Sequence, residues 1–167
     1  MNAQANPTFA LRPLLPADVS VLAEIFRASI AELTSDDYSE AQQEAWAASA
    51  GDQAAFAGRL GKQLTLVATM QGSPVGFASL AGNEKLDMLY VHPGVAGHGV
   101  AAMLADALEK LAAARGATKL SVDASDTARG FFEKRGYVPQ QRNSISVGDE
   151  WLANTTLTKT FAQGKPS

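Results

Sequence analysis

The chain has 167 residues, 46% hydrophobic and 19% charged, with a net charge of −3. That suits one globular domain with a substantial core and leaves no broad basic face for nucleic acid. It contains no cysteine and two histidines, which excludes disulfides, thiolate metal sites and cysteine nucleophiles and leaves no expected metal site.

No run approaches the ~20 apolar residues of a membrane-spanning helix, and MNAQANPTFALRP lacks the basic-then-apolar order of a signal peptide. A cytoplasmic protein is expected, a single domain over 1–167 with an ordered core over about 9–160 and frayed polar ends. FALRPL (9–14) reads as a short first strand. Asp18, after Pro16, suits the N-cap of a helix through VSVLAEIFRASIAEL, whose Leu22, Ile25, Phe26, Ser29 and Ile30 share one face. TSDDYS breaks it, and EAQQEAWAAS and DQAAFAGRLG read as one or two short helices carrying Trp46 and Phe56.

The period then changes. LTLVATM (64–70), a turn at QGSP and VGFASLAG (75–82) read as an antiparallel hairpin, and KLDMLYVH (85–92) as the next strand, near the sheet centre. From Val100 the helical period returns through Met103, Leu104, Ala107, Leu108 and Leu111, with Gly116 placed as a C-terminal cap. TKLSVDAS (118–125) is a further strand. Ser125 or Asp126 then caps a helix TARGFFEKR closed by Gly136, and YVPQQRNSISV and WLANTTLTKTF form a last hairpin around GDE. The order predicts an α/β (α+β) domain, a mixed sheet with helices on its faces.

The stretch YVHPGVAGHGVAAML (90–104) places Gly94, Gly97 and Gly99 between a strand end and a helix. A helix start leaves backbone N–H groups without partners, and glycine lets an anion reach them because no Cβ intervenes. A plain tight turn is the bland alternative. GHGVAA also matches G-x-G-x-x-A, with Asp123 near the spacing of a dinucleotide-binding acid, but the hairpins on either side deny the parallel repeat that fold needs. A Walker A loop is excluded, since no Lys-Ser/Thr pair follows the glycines.

LYVHPGVAGHGVAAMLADAL resembles the signature of GNAT-superfamily N-acetyltransferases, a strand ending hydrophobic-x-V-x-P, a loop Q/R-x-x-G-x-G/A and a long helix. The resemblance puts Ala96, Gly97, His98, Gly99, Val100 and Ala101 on the loop that holds the coenzyme A pyrophosphate. Ala96 replaces the usual glutamine or arginine and His98 a common arginine. SVDASDTARGFFEKRGY resembles the family's N-x-x-A-x-x-F-Y-x-K-x-G-F, with Ser125 at the asparagine, then Ala128, Phe131, Lys134, Gly136 and Tyr137. Phe132 stands where the family has a tyrosine whose hydroxyl protonates the departing thiolate.

The resemblance implies a mixed, mostly antiparallel sheet of about seven strands flanked by about four helices, with a splayed parallel pair. Acetyl-CoA is the implied cosubstrate, with no metal, lying between KLDMLYVH and TKLSVDAS. The amides of Leu89 and Val91 are candidates for its pantetheine and thioester, with Tyr90 between them on the opposite strand face. Asp87, beside Glu84, and His92 are the candidate bases; Asp87 falls on the face of Leu89 and Val91 unless a bulge intervenes. The acceptor, a small-molecule or protein amine, is expected among Phe26, Tyr38, Trp46, Trp151 and Asn154. No nucleic-acid or membrane partner is expected, and the protein is a monomer or homodimer. The competing reading is a GNAT-like sensor that binds acetyl-CoA without transferring its acetyl group.

Overall fold

The alternating stretches become seven strands and the helical ones five α-helices in the computed structural model, which describes residues 8–162. The expectation of frayed ends falls outside those residues. β1 (Phe9–Pro13) is followed by α1 (Val19–Leu33), α2 (Glu40–Ala48) and α3 (Gln53–Gly61). β2 (Leu64–Met70), β3 (Ser73–Ala81) and β4 (Lys85–Val91) then form a meander. α4 (Val100–Ala114), β5 (Lys119–Ser125), α5 (Arg129–Lys134), β6 (Val138–Val147) and β7 (Glu150–Thr160) complete the chain. The sheet order is β1-β2-β3-β4-β5-β7-β6, so β4 is central and β7 inserts between β5 and β6. β4 and β5 are the parallel pair, and the other neighbours are antiparallel.

Strand alternation splits the core into two layers. On one face, Leu80, Leu86, Leu120 and Val122 pack with Leu104 and Leu108 of α4 and Phe132 of α5. On the other, Val67, Phe77 and Met88 pack with Leu22, Ile25, Phe26 and Ile30 of α1 and Phe56 and Leu60 of α3. α4 lies unusually close to β3 at Gly76. A Cβ there would stand 3.3 Å from Val100 Cγ1 and 3.4 Å from Leu104 Cδ1. That contact fixes the start of α4 against the sheet, directly after the glycine-rich turn.

The two short central helices are separate, each started by its own cap. Ser39 accepts from Gln42 N–H while Gln42 bonds back to Ser39 N–H, and Asp52 accepts from Ala55 N–H. Asp18 does something other than the expected capping of α1. Its carboxylate receives both terminal nitrogens of Arg12, at 2.7 and 2.9 Å, and the Leu15 N–H at 2.8 Å. It therefore closes the turn before α1 and ties it to β1. The capping expectation failed because Arg12 offered the carboxylate a bidentate cation, a stronger partner than a helix amide.

The Arg12 hydrogen bonds hold the Asp18 carboxyl below the usual carboxylate range, with burial opposing and the Leu15 amide assisting. A depressed folded pKa means that this stabilisation is complete above the unfolded value and disappears as pH falls through the folded one. Asp18→Asn should therefore cost about 2 kcal/mol at neutral pH. In urea melts, the gap from wild type should close only in acid, as pH falls below the ordinary aspartate pKa.

Candidate active site

The parallel ladder between β4 and β5 is very short. It pairs Lys85 with Ser121 and Leu86 with Val122, and then the strands part. On its other edge β4 carries one extra residue. Met88 pairs with Ser79 and Leu86 with Leu80, leaving Asp87 between them as a bulge. The bulge resets the alternation, so Leu86, Leu89 and Val91 join the α4 layer while Met88 and Tyr90 join the α1 layer.

Backbone direction follows from the same ladder. His92 N–H donates to Val75 O at 2.8 Å, and antiparallel pairing then turns Tyr90 and Met88 toward β3 as well. The N–H and C=O groups of Leu89 and Val91 consequently face the gap left by β5. A cleft of about 740 Å³ runs through this gap.

Leu89, Tyr90, Val91, Gly97 and Ala101 border the cleft on the β4 and α4 side. Ser125, Ala128, Phe131 and Phe132 border it from β5 and α5. At its mouth, Gly97 and Gly99 adopt φ of 82° and 84°. Gly99 precedes α4, which has no side-chain cap. Met103 N–H is the first of α4 to return to the turn, bonding Gly99 O at 3.0 Å, which leaves the amides of Val100, Ala101 and Ala102 without a helical partner. Ala96, His98, Gly99 and Val100 lie beside this mouth in sequence but do not line the cleft, and Lys134 is exposed in the last turn of α5.

The two candidate bases are differently placed. Asp87 lines the cleft but faces α3, because of the bulge, rather than the side of Leu89 and Val91. Arg59 Nε and Gln63 Nε2 each donate to its Oδ2 at 2.9 Å. Burial alone would raise its pKa; these hydrogen bonds and the Arg59 charge outweigh it and hold the carboxyl below its ordinary value. His92 is exposed and outside the cleft lining. Its Nδ1 accepts the Gly94 N–H at 2.9 Å, so a neutral ring carries its proton on Nε2 and has no lone pair left to offer. His98 Nδ1 lies 3.1 Å from Val95 O and 3.2 Å from Ala96 O, bracing the turn from within.

Phe132 is 2% exposed, edge-on between Phe131 and Tyr137. Tyr137 is equally buried and donates to Glu109 Oε2 at 3.0 Å. Burial, and then the Glu109 charge, push its pKa upward. Glu109 is also held by Lys159 at 2.8 Å and by Arg135, which makes this a structural network under α5.

Beyond the parted strands the cleft continues between α1, α2 and the β6–β7 hairpin. Phe26, Tyr38, Trp46 and Asn154 border it there, whereas Trp151 is 64% exposed and outside it. Leu152, its neighbour on β7, points inward in its place. Tyr38 donates to Ala153 O at 2.6 Å and accepts from Asp126 N–H at 2.9 Å, pinning the α1–α2 loop to β7 and to the turn after β5. Tyr90 Oη accepts from Trp46 Nε1 at 3.3 Å, and burial pushes its pKa up to about 12. Ser125 caps the turn before α5 by accepting from Ala128 N–H, while Asp126 pairs with Arg142.

Sequence reasoning missed Arg59 and Gln63, the partners of Asp87. Their four-residue spacing was the available signal, since it places them on one side of α3 and its C-terminal turn. Lys85 and Asp123 were also missed as a pair. Lys85 pairs with Ser121 on the parallel β5, and Asp123 lies two residues further on the same strand face, where the lysine reaches it at 2.7 Å.

A mixed sheet opened at its parallel pair, with an uncapped glycine turn at the mouth of the opening, is the GNAT-like α/β architecture. The chain belongs to that family of acetyltransferases: the model of the acetyltransferase (GNAT) domain matches residues 34–153. It is 33% identical over 144 residues to an uncharacterised N-acetyltransferase, YafP, of Escherichia coli, covering 86% of this chain and 91% of the relative. It is 31% identical over 124 residues to the peptidyl-lysine N-acetyltransferase YjaB of Salmonella typhimurium, covering 74% and 69%. A crystal structure from Rhodopseudomonas palustris, described as the GCN5-related N-acetyltransferase "Aminotransferase, Class-II", superposes with a TM-score of 0.90 at 61% identity, covering 96% and 99%.

The electrostatics of Asp87 are open to direct measurement. Replacing Arg59 by Met removes the charge and a hydrogen bond but leaves the burial, so the Asp87 carboxyl should titrate higher than in wild type. Carbon-detected NMR titration of the Asp87 carboxyl checks this; an unchanged midpoint would show that the pair does not control it.

Proposed function

We propose that the protein transfers an acetyl group from acetyl-CoA to a primary amine by direct attack in a ternary complex. The observation that carries this reading is the parting of β4 from β5, which leaves the Leu89 and Val91 backbone groups facing an open cleft. An extended pantetheine arm would take up the missing ladder position. The amides of Val100, Ala101 and Ala102 at the positive end of α4 would take the pyrophosphate, with Gly97 and Gly99 leaving room for it. The pocket walls of Ser125, Ala128, Phe131 and Phe132 would hold the thioester end.

In the reaction the amine nitrogen uses its lone pair to form a C–N bond at the thioester carbonyl. The C–S bond breaks, the sulfur leaves as thiolate, and the nitrogen's surplus proton ends on the sulfur. An amide aimed at the carbonyl oxygen stabilises the negative charge that develops there. The Asp87 carboxylate, held low by Arg59 and Gln63, is a weak base. It orients the acceptor side of the cleft, and the neutral fraction of the amine supplies the nucleophile. An acidic limb in the rate profile then belongs to the acceptor's ammonium and not to Asp87.

Calorimetry tests the cosubstrate. Gly99→Asn tolerates the left-handed backbone yet puts a side chain over the α4 amides. It should weaken acetyl-CoA binding at least about tenfold with little change in Tm, whereas His98→Ala should stay within about threefold. If Gly99→Asn binds as wild type does, the loop does not hold the pyrophosphate.

A second reading, an acetyl-CoA sensor without transfer, is favoured by Phe132, which supplies a ring and no proton. Thiol release from acetyl-CoA across an amine panel separates the two. Wild type should release thiol with at least one amine, and Phe132→Tyr should be equal or faster. Release by Phe132→Tyr alone would make the natural protein a sensor.

A further inference from the structure

On the acceptor side the cleft combines an apolar wall with charges that cancel. Phe26, Ile30, Trp46, Tyr90, Val147 and Leu152 form the wall. Phe26 and Tyr90 pack at a tilt, 4.6 Å between ring centroids, and Trp46 meets Tyr90 edge-on at 6.4 Å. The charged residues that line the cleft are Arg59, Lys85, Asp87 and Asp123. They form two closed pairs. Arg59 holds Asp87 at 2.9 Å, with Gln63 as a further donor, and Lys85 holds Asp123 at 2.7 Å, with Thr156 at 2.6 Å.

Three of the wall's hydroxyls are similarly committed. Thr34 Oγ1 donates to Ile30 O and Ser49 Oγ to Trp46 O, both at 2.6 Å, and Tyr38 to Ala153 O. Tyr90 Oη differs: it accepts from Trp46 Nε1, and its own proton has no acceptor among the described residues. Among the described residues the wall therefore presents aromatic faces and the hydroxyls of Tyr90 and Ser29, while each carboxylate and cation lining it is already in an ion pair.

From this we infer the class of acceptor: a primary mono-amine with an apolar body, aromatic or branched aliphatic, carrying no second charge. The inference rests on the acetyltransferase reading above. The aromatic faces of Trp46 and Tyr90 accommodate a single ammonium on entry and its apolar body after it. An amino acid would bring a carboxylate, and a polyamine a second ammonium, into a wall where every opposite charge is already paired. Each would be stripped of water without compensation. A lysine in a peptide has an aliphatic tail that the wall fits, but also a polar backbone that must lie across the apolar rim at Leu33 and Ile145.

The chain has two tryptophans, so the exposed Trp151→Phe change leaves Trp46 as the single indole reporter in the cleft. With the protein saturated in coenzyme A, 2-phenylethylamine should quench Trp46 at concentrations at least about tenfold below free lysine, spermidine or a lysine peptide. With acetyl-CoA, kcat/KM should follow the same order. Trp46→Ala should raise KM for 2-phenylethylamine about tenfold with a smaller change in kcat. Leu33→Glu, at a position already 38% exposed, should narrow the preference over spermidine without disturbing the core.

Equal or better quenching and turnover with spermidine, lysine or the peptide would overturn the inference while leaving the transferase reading intact. If acetyl-CoA does not bind in calorimetry, the transferase reading fails. Selective quenching by 2-phenylethylamine without thiol release would uphold the wall's chemistry and remove only the transfer step.

Discussion

The site depends on a ladder that stops. Two residues of β4 pair with β5 and the remaining five do not, although both strands lie in the middle of the sheet. In a continuous sheet this would bury unsatisfied amides and carbonyls, which is costly. Here the bulge at Asp87 turns β4 just where the ladder ends, and the parted strands open to a cleft instead of closing on each other. An open edge in a sheet centre is a template for an extended ligand, because the ligand's amides complete the missing hydrogen bonds. The rest of the fold serves that opening. Gly76 brings α4 close beneath it, the positive-φ glycines shape its mouth, and Tyr38 ties the α1–α2 loop to β7 and to the turn after β5 beyond it.

The bulge also separates two kinds of chemistry. On the α4 and α5 side, Leu89 and Val91 sit with Phe131 and Phe132, where the cleft offers backbone groups and apolar packing. On the α1 and α3 side, Asp87 and Tyr90 face the helices, where the cleft is aromatic and its charges are matched. A one-residue change in register moves every following side chain to the other face. Without the extra residue, Asp87 would stand beside Leu89, free of Arg59 and Gln63. The sheet thus sets both the placement and the acidity of the β4 carboxylate next to the splayed strands.

Much of the architecture was legible in the residues. Strand and helix periods gave the elements within a residue or two, Gly116 and Gly136 marked helix ends at positive φ, and YVHPGVAGHGV marked the helix start. One local expectation failed and one met its stated exception. Asp18 was expected to cap α1 but pairs with Arg12, and the bulge at Asp87 turned that carboxylate from the Leu89 face to Arg59 and Gln63. His92 is the converse case: its imidazole suits a base, yet a contact two residues away occupies the lone pair.

The sequence alone determined what backbone and composition dictate: the order of elements, an anion-ready glycine turn, the lack of cysteine, and a phenylalanine with no proton to give at position 132. These follow from local sterics and from which atoms a side chain has. Only the tertiary structure decided where the β4–β5 ladder ends, which face Asp87 takes, and that the charges in the cleft cancel in pairs. Those depend on register and on contacts between residues far apart in the chain, such as Arg59 with Asp87 and Lys85 with Asp123. No periodicity within one segment encodes such a contact, because it exists only once helices and strands have packed.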